Sequence, residues 1–436
     1  MKFSCIATGD SLITQRLPKN DPANLALKKI FEATDVRITN FEFLVHDYEV
    51  YPSAVSGGTW VVAKPAVIDD LKWLGINMFA AATNHSLDWG HDGLVTTMRH
   101  LNEKGCLYAG IGMNLAEASM PVYLDTPEGR VALISVTSTG KDWHIAGEQR
   151  PDVKGRPGVN MLRFKMINYL PQEDIDTLRR IVDKTYVNAR RMQLEREGFA
   201  KPEEGFAVGT NRFEAGTPGS KTFCNKKDLQ RIMKYIKEAR RQADVVIVSH
   251  HVHEFRGIDK ALAPDYAKEF AHICIDAGVT AFISHGPHIL RGMEIYKNKP
   301  VLYGLGDFFI QSSSVERQPT EFFDIYNLGL DATPSDGYDA RSKNGTSGQF
   351  ANAKVFESVL ARFTVEDGNI AGVELMPITL GFNKPLSRKG RPELASIEDG
   401  NRILKNLQEL SEEFGTRIEI NEGRGYIPIP QCQRRE

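Results

Sequence analysis

Cysteine is scarce in this chain. Its five cysteines (Cys5, Cys106, Cys224, Cys274, Cys432) are odd in number, far apart and never arranged as Cys-x-x-Cys. That argues against a disulfide framework or a cysteine zinc site and favours a reducing compartment. Long apolar runs are missing too: nothing approaches the roughly 18 consecutive apolar residues of a membrane helix. The opening "MKFSCIATGDSLI" turns polar too early for a signal peptide. Neither sign of charge dominates, with 54 Lys and Arg against 56 Asp and Glu. This balance offers no electrostatic case for nucleic acid or an anionic membrane surface. The terminal "QCQRRE" reads as a solvated tail. The expectation is a cytoplasmic protein without a membrane anchor, long enough at 436 residues to bury a large core. Its oligomeric state has no signature in the chain.

What is present alternates. "KFSCIATG" is a β-prone run, and "PANLALKKIFEAT" has helical periodicity with Pro22 in its first turn. "DVRITNFEF" reads as a strand and "AKPAVIDDLKWLG" as a helix ended by Gly75. Strand "INMFAAAT", helix "HDGLVTTMRHLNEKG" and strand "RVALISVT" follow. After an interruption the rhythm resumes with helix 226–242, strand "DVVIVS", helix 263–277, and strands "VTAFIS" and "PVLYGLG". Strands separated by helices of this length predict an α/β fold. Residues 1–310 form the core region, broken at about 141–226 by a glycine- and proline-rich insertion around a charged helix near 172–197. Such an insertion is either a lid over a site or a partner surface. Residues 311–352 are a second, glycine- and serine-rich excursion, and 353–436 supply a β-hairpin and a helix that complete the same domain.

Polar residues able to bind metal collect where the strands end. Asp10 follows "FSCIATG", Asn40 and Glu42 follow "DVRIT", and Asn84, His85 and Asp88 follow "INMFAAAT". His250, His251 and His253 follow "DVVIVS", and His285 and His288 follow "VTAFIS". Pro287 argues that this last pair sits on a loop. Each group alone has a plainer explanation as a turn, a helix cap or a satisfied strand-end histidine. Five such groups at five strand ends predict a metal site, because open α/β sheets bind ligands at the carboxyl ends of their strands. Imidazole, carboxylate and amide oxygen together suit one or two ions of Mn, Fe, Zn or Co.

These residues, in this order, resemble the CapA family of poly-γ-glutamate capsule proteins, which is similar in turn to the calcineurin-like metallophosphoesterases. The resemblance rests on "TGDS", "TNFEF", "ATNHSLDWG", "SHHVHEF", "SHGPHIL" and "YGLGDFF". It implies a metallophosphatase-like four-layer fold, two packed β-sheets flanked by helices. It further implies that Asp10 and His288 bind one metal and that Glu42 bridges. Asn84, His251 and His285 would bind a second metal, with His251 preferred over His250 at the expense of a gap in the family's register. His85 would be the general acid, oriented by Asp88. The chain departs from the related phosphoesterases at Leu12, where their Asp-x-His has histidine, so one metal lacks a ligand. It departs from the family pattern at Gly286, in place of histidine, and at Asp307, in place of asparagine.

The substrate is expected to be a small or peptide-like anionic molecule. Lys141 and His144 lie at another strand end, and the guanidinium forks of Arg156 and Arg291 would match phosphate or carboxylate. Asn40, His253 and Glu254 complete the substrate-facing set. Three activities fit: a hydrolase of phosphoester or γ-glutamyl/peptide-type bonds, a non-hydrolytic enzyme such as an epimerase, or a non-catalytic capsule-assembly partner.

Overall fold

The computed structural model describes residues 1–202 and 205–430. The terminal QCQRRE, with Cys432, lies outside them. Among the described residues, two large sheets dominate an α/β architecture. Lys2–Leu12 runs through the middle of the ten-stranded sheet, parallel to Val36–Phe41 and antiparallel to Glu357–Glu366. Met78–Ala80 and Leu107–Ala109 extend this sheet in parallel on one side. The hairpin Glu357–Glu366 and Asn369–Thr379 extends it on the other, so the C-terminal region completes the core region's own sheet. The six-stranded sheet has a parallel centre of Gly129–Thr137, Val245–His251, Ala281–His285 and Lys299–Leu302.

Period-two alternation explains how the sheets meet. Val245 and Ile247 join one core with Leu133, Ala281 and Ile283, together with Phe3, Cys5 and Ala7 of the ten-stranded sheet. Their neighbours Val246 and Val248 face a second core, with Ile232 and Ile236 of helix Lys226–Gln242 and Phe270 of helix Asp265–Asp276. On the far side, Ile6 and Phe41 meet Leu27 of helix Pro22–Glu32 and Leu71 of helix Ala66–Leu74. The helices carry the expected signals. Asp21 caps the first with its side chain on the Ala23 N–H, and Gly75 ends the second in the left-handed region, at φ 118°.

The charged helix expected near 172–197 is two helices, Gln172–Thr185 and Ala189–Arg196, separated where Tyr186 adopts φ 54°. They accompany a four-stranded sheet of the insertion's own. This unit rests on the outer helix Asp265–Asp276, where Phe164 stacks on Tyr266 with centroids 4.4 Å apart. The 311–352 excursion is also structured: Phe322 of helix Thr320–Asp324 packs on Tyr338 of helix Pro334–Ser342. Among the described residues, no helix is long and apolar enough to cross a membrane.

Candidate metal centre

Strand pairing explains why distant carboxylates converge. Asp10 is in register with Asn40 on one side and with Asp307 on the other. The two glycine-aspartate pairs are sterically linked, because a Cβ on Gly9 would lie 2.0 Å from the Gly306 carbonyl oxygen. Only glycine permits that approach, which brings the Asp10 N–H to within 3.0 Å of the same oxygen. Glu42 follows the end of Val36–Phe41. From the other sheet, His251 and His285 are in register at the ends of adjacent parallel strands. His288 sits three residues further, and Asn84 and His85 come from the loop after Met78–Ala80.

The side chains meet in a buried cluster. Asn40 Nδ2 donates to Asp10 Oδ1 at 2.7 Å, and the Gly286 N–H donates to Asp10 Oδ2 at 2.8 Å. Glu42 Oε1 lies 3.5 Å from His251 Nε2, 3.6 Å from His253 Nε2 and 3.9 Å from His288 Nε2. Asn84 Oδ1 is 2.8 Å from His251 Nε2. His285 Nδ1 lies 3.8 Å from Asp10 Oδ1, and His288 Nδ1 lies 2.8 Å from Asp307 Oδ1. Asp10, Glu42, His288 and Asp307 each place a ligand atom within 4.8 Å of the others, as do Glu42, His253 and His288. His85 sets Nδ1 against Asp88 Oδ2 at 2.6 Å and turns Nε2 toward Glu42, 3.9 Å away.

These residues fit a divalent cation. Both oxygens of Glu42, both ring nitrogens of His285 and Asp307 Oδ2 are buried without a hydrogen-bond partner, a costly arrangement unless something coordinates them. Burial drives the Asp10, Glu42 and Asp307 carboxyls well above the usual carboxylate range, and mutual repulsion adds to this for Asp10 and Glu42. Burial also pushes His251, His253 and His288 well below the usual histidine value, and His285 down to about 3. Imidazoles disfavoured as cations beside carboxyls disfavoured as isolated anions form a donor set that a divalent cation would satisfy.

The structure distributes the remaining expected residues unevenly. His251, not His250, faces the cluster; the His250 ring lies among Tyr266, Phe270 and Phe282 with Nε2 on Ser138 Oγ. Asn40 and His253 are in the cluster, the first on Asp10 and the second among the ligand atoms. The others assigned to the substrate sit elsewhere. Arg291 is fully buried and donates to the carbonyls of Val252, His253, Glu254 and Lys260. Its guanidinium is saturated by backbone and scaffolds that loop. Glu254 accepts from Thr139 and Tyr266, while Lys141 and Arg156 are exposed, Arg156 bonding the Ile145 carbonyl. His144 is buried with both ring nitrogens unpaired, beside Trp143. None of the four borders the cavity above the cluster, and nor does Arg291 or any other described residue of 141–226. That cavity is bordered instead by Ser312, Arg341 and Gln349 of the 311–352 excursion. Asp307, which registers against Asp10, was marked in the sequence only as a departure from the family pattern, and Lys260 is marked by no motif.

Fold and site together define a class: an α/β protein with a buried carboxylate–imidazole cluster that could hold a metal ion, at the carboxyl ends of strands from two sheets. Comparison with known proteins supplies the family. Residues 4–312 match the family described as "Bacterial capsule synthesis protein PGA_cap", and the chain belongs to it. It is 33% identical over 442 residues to the "Uncharacterized protein y4sH" of Sinorhizobium fredii (strain NBRC 101917 / NGR234), a match covering 98% of this chain and 93% of that one. It is 22% identical to the "PGA biosynthesis protein CapA" of Bacillus subtilis (strain 168), over 65% of this chain and 55% of the relative. It is 27% identical to the "Probable polyglutamine synthesis accessory protein Rv0574c" of Mycobacterium tuberculosis (strain ATCC 25618 / H37Rv), over 63% of this chain and 55% of the relative.

Proposed function

We propose that this chain is a metal-dependent hydrolase of metallophosphatase-like four-layer build. It acts on a phosphoester or a γ-glutamyl/peptide-type bond of an anionic substrate in poly-γ-glutamate or capsule metabolism. The observation that carries this reading is the cluster of buried, unpartnered donors on Glu42, His285 and Asp307 beside Asp10, His251 and His288. The two sheets sharing a core, with helices packed outside each, support the fold reading.

A divalent ion at these donors supplies Lewis-acid polarisation of a phosphoryl or carbonyl oxygen. The chain's residues do the rest. Asp10, Glu42, His288 and Asp307 would hold one set of ligand positions, and Asp307 there, with His253 beside Glu42 and His288, would offset the histidine that Leu12 replaces. Asn84, His251 and His285 hold the opposite side. His85 works beside them as proton donor, because Asp88 fixes its Nδ1 and leaves Nε2 to deliver a proton to the leaving group.

The test compares chelated and metal-reconstituted protein on 4-nitrophenyl phosphate and on a γ-linked glutamate oligomer. Metal-dependent release of nitrophenol or glutamate, slowed about 10²- to 10⁴-fold in His85→Asn, is the expected result. No release from either by protein that holds metal would overturn the hydrolase. Leu12, which borders the cavity where the related phosphoesterases carry histidine, favours a second reading, proton abstraction α to a carbonyl. Deuterium incorporation from solvent without bond cleavage would identify it.

A further inference from the structure

Above the cluster lies a cavity of about 140 Å³ with His85, His253 and His288 on its floor and Thr59, Lys260 and Arg341 around it. We propose that Lys260 and Arg341 form an anion subsite beside the metal centre, which takes a carboxylate or phosphate group of the substrate remote from the bond that reacts. The proposal rests on the hydrolase reading for the neighbouring chemistry and on its own geometry for the binding.

The first observation is that neither cation has a carboxylate partner among the described residues. Arg341 donates through Nη1 to the Thr59 hydroxyl, and the Lys260 ammonium has no ion pair or hydrogen-bond acceptor. Other guanidiniums have their partners within the fold: Arg163 forks onto Asp228 at 2.7 and 2.9 Å, Arg130 forks onto Asp125 at 2.6 and 3.0 Å, and Arg291 meets backbone carbonyls. Two half-buried cations left facing a cavity suit an oxyanion, the arginine with a bidentate fork and the lysine with a point charge. The charged groups that act on Lys260 are, in order, Asp307, Arg291, Glu42 and Asp10. A metal ion on those carboxylates takes up their charge and leaves the ammonium free for substrate.

The second observation is that the backbone carrying each cation is held in place. The Lys260 carbonyl receives Arg291 Nε at 3.0 Å, from the same buried guanidinium that binds the carbonyls of Val252, His253 and Glu254. Arg341 lies on helix Pro334–Ser342, which has a capping box at Thr333 and Asp336 and is anchored through Tyr338, whose hydroxyl donates to the Val315 carbonyl. Thr59 belongs to a segment tied to the catalytic loop, since Asp88 accepts from the N–H groups of Gly57 and Val61. Gly57 approaches so closely that a Cβ there would lie 2.3 Å from Asn84 Nδ2. The position of the anion is therefore coupled to that of His85.

The third observation concerns origin. Arg341 lies in the 311–352 excursion, outside the family-matched residues 4–312 within which the cluster's own residues fall. At about 30 Å³ per water, the cavity has room for one terminal oxyanion group and little else.

The test titrates metal-loaded protein with inorganic phosphate and separately with glutarate, by calorimetry, in wild type, Lys260→Met, Arg341→Gln and Arg341→Lys. Metal content and thermal midpoint are read on every sample. The expected result is binding of one or both probes that weakens about tenfold or more in Arg341→Gln and Lys260→Met, and less in Arg341→Lys, at unchanged metal content. Capture of phosphate alone marks a phosphate subsite, and capture of glutarate alone a carboxylate subsite. Equal binding in wild type and all variants, or none in wild type, overturns the proposal and leaves the hydrolase reading standing. Protein that takes up no metal but loses probe binding on Arg341→Gln supports the subsite and removes the hydrolase.

Discussion

His85 touches Asp88 with one ring nitrogen and faces Glu42 with the other, so its two roles can be tested apart. Replacing His85 with Asn removes the proposed proton donor, and turnover should fall by about 10²- to 10⁴-fold. Asp88→Asn leaves the ring in place but weakens its orientation, with an expected loss of about 10- to 100-fold. Both effects are read from rates at saturating substrate, with metal content measured beside them and expected to stay at the wild-type level. At this scale the sequence was informative where a residue's chemistry and its place after a strand agreed. Asp10, Glu42, Asn84, His251, His285 and His288 all meet that condition, and the structure brings them together. It was uninformative where the same residue type serves backbone and ligand alike. Arg291 has the chemistry of an anion binder, yet four carbonyls surround it. Lys260 sits in "RGIDKALAP", a loop with no periodicity or motif, and only the folded chain turns it toward the cavity.

Arg291 belongs equally to the scale of elements, because it sets the course of the chain after strand Val245–His251. Arg291→Met keeps the bulk and orphans the carbonyls, each at a cost of about 1–3 kcal/mol. A lowered thermal midpoint and weaker metal retention through His253 are expected, with Arg291→Lys intermediate. Gly9→Ala tests the strand approach that places Asp10 against Gly306 and Asp307. Its Cβ would fall 2.0 Å from a backbone oxygen, so the strands must separate, at a cost of about 1–3 kcal/mol or more. Chemical denaturation should show that loss, and metal affinity should fall with it because Asp10 moves. Element order was legible because caps and periodicity agreed with the tertiary fold, as at Asp21 and Gly75. The roles of the two interruptions were not. The 141–226 insertion packs on an outer helix through Phe164 and Tyr266, whereas the excursion at 311–352 borders the cavity. Both interrupt the strand–helix rhythm, and composition does not say which way such a segment folds.

At the scale of the molecule, the cluster joins two sheets: Asp10, Glu42 and Asp307 come from one, His251 and His285 from the other. A cation held by both sheets binds the folded chain and not the unfolded one, and stabilises it by about 2.7 kcal/mol at a concentration 100 times its dissociation constant. Chelation should therefore lower the thermal midpoint, and restoring the metal should return it. The α/β class was legible in the strand–helix rhythm. The packing of two sheets was implied by the family resemblance and not by that rhythm, because it depends on which face of each strand turns inward. The most direct test is the metal content of the purified, reconstituted protein by elemental mass spectrometry, wild type beside Asp10→Ala and His285→Ala. One to two equivalents in wild type, falling in both variants, is the predicted result. No metal in wild type, or the same content in all three proteins, would contradict the account.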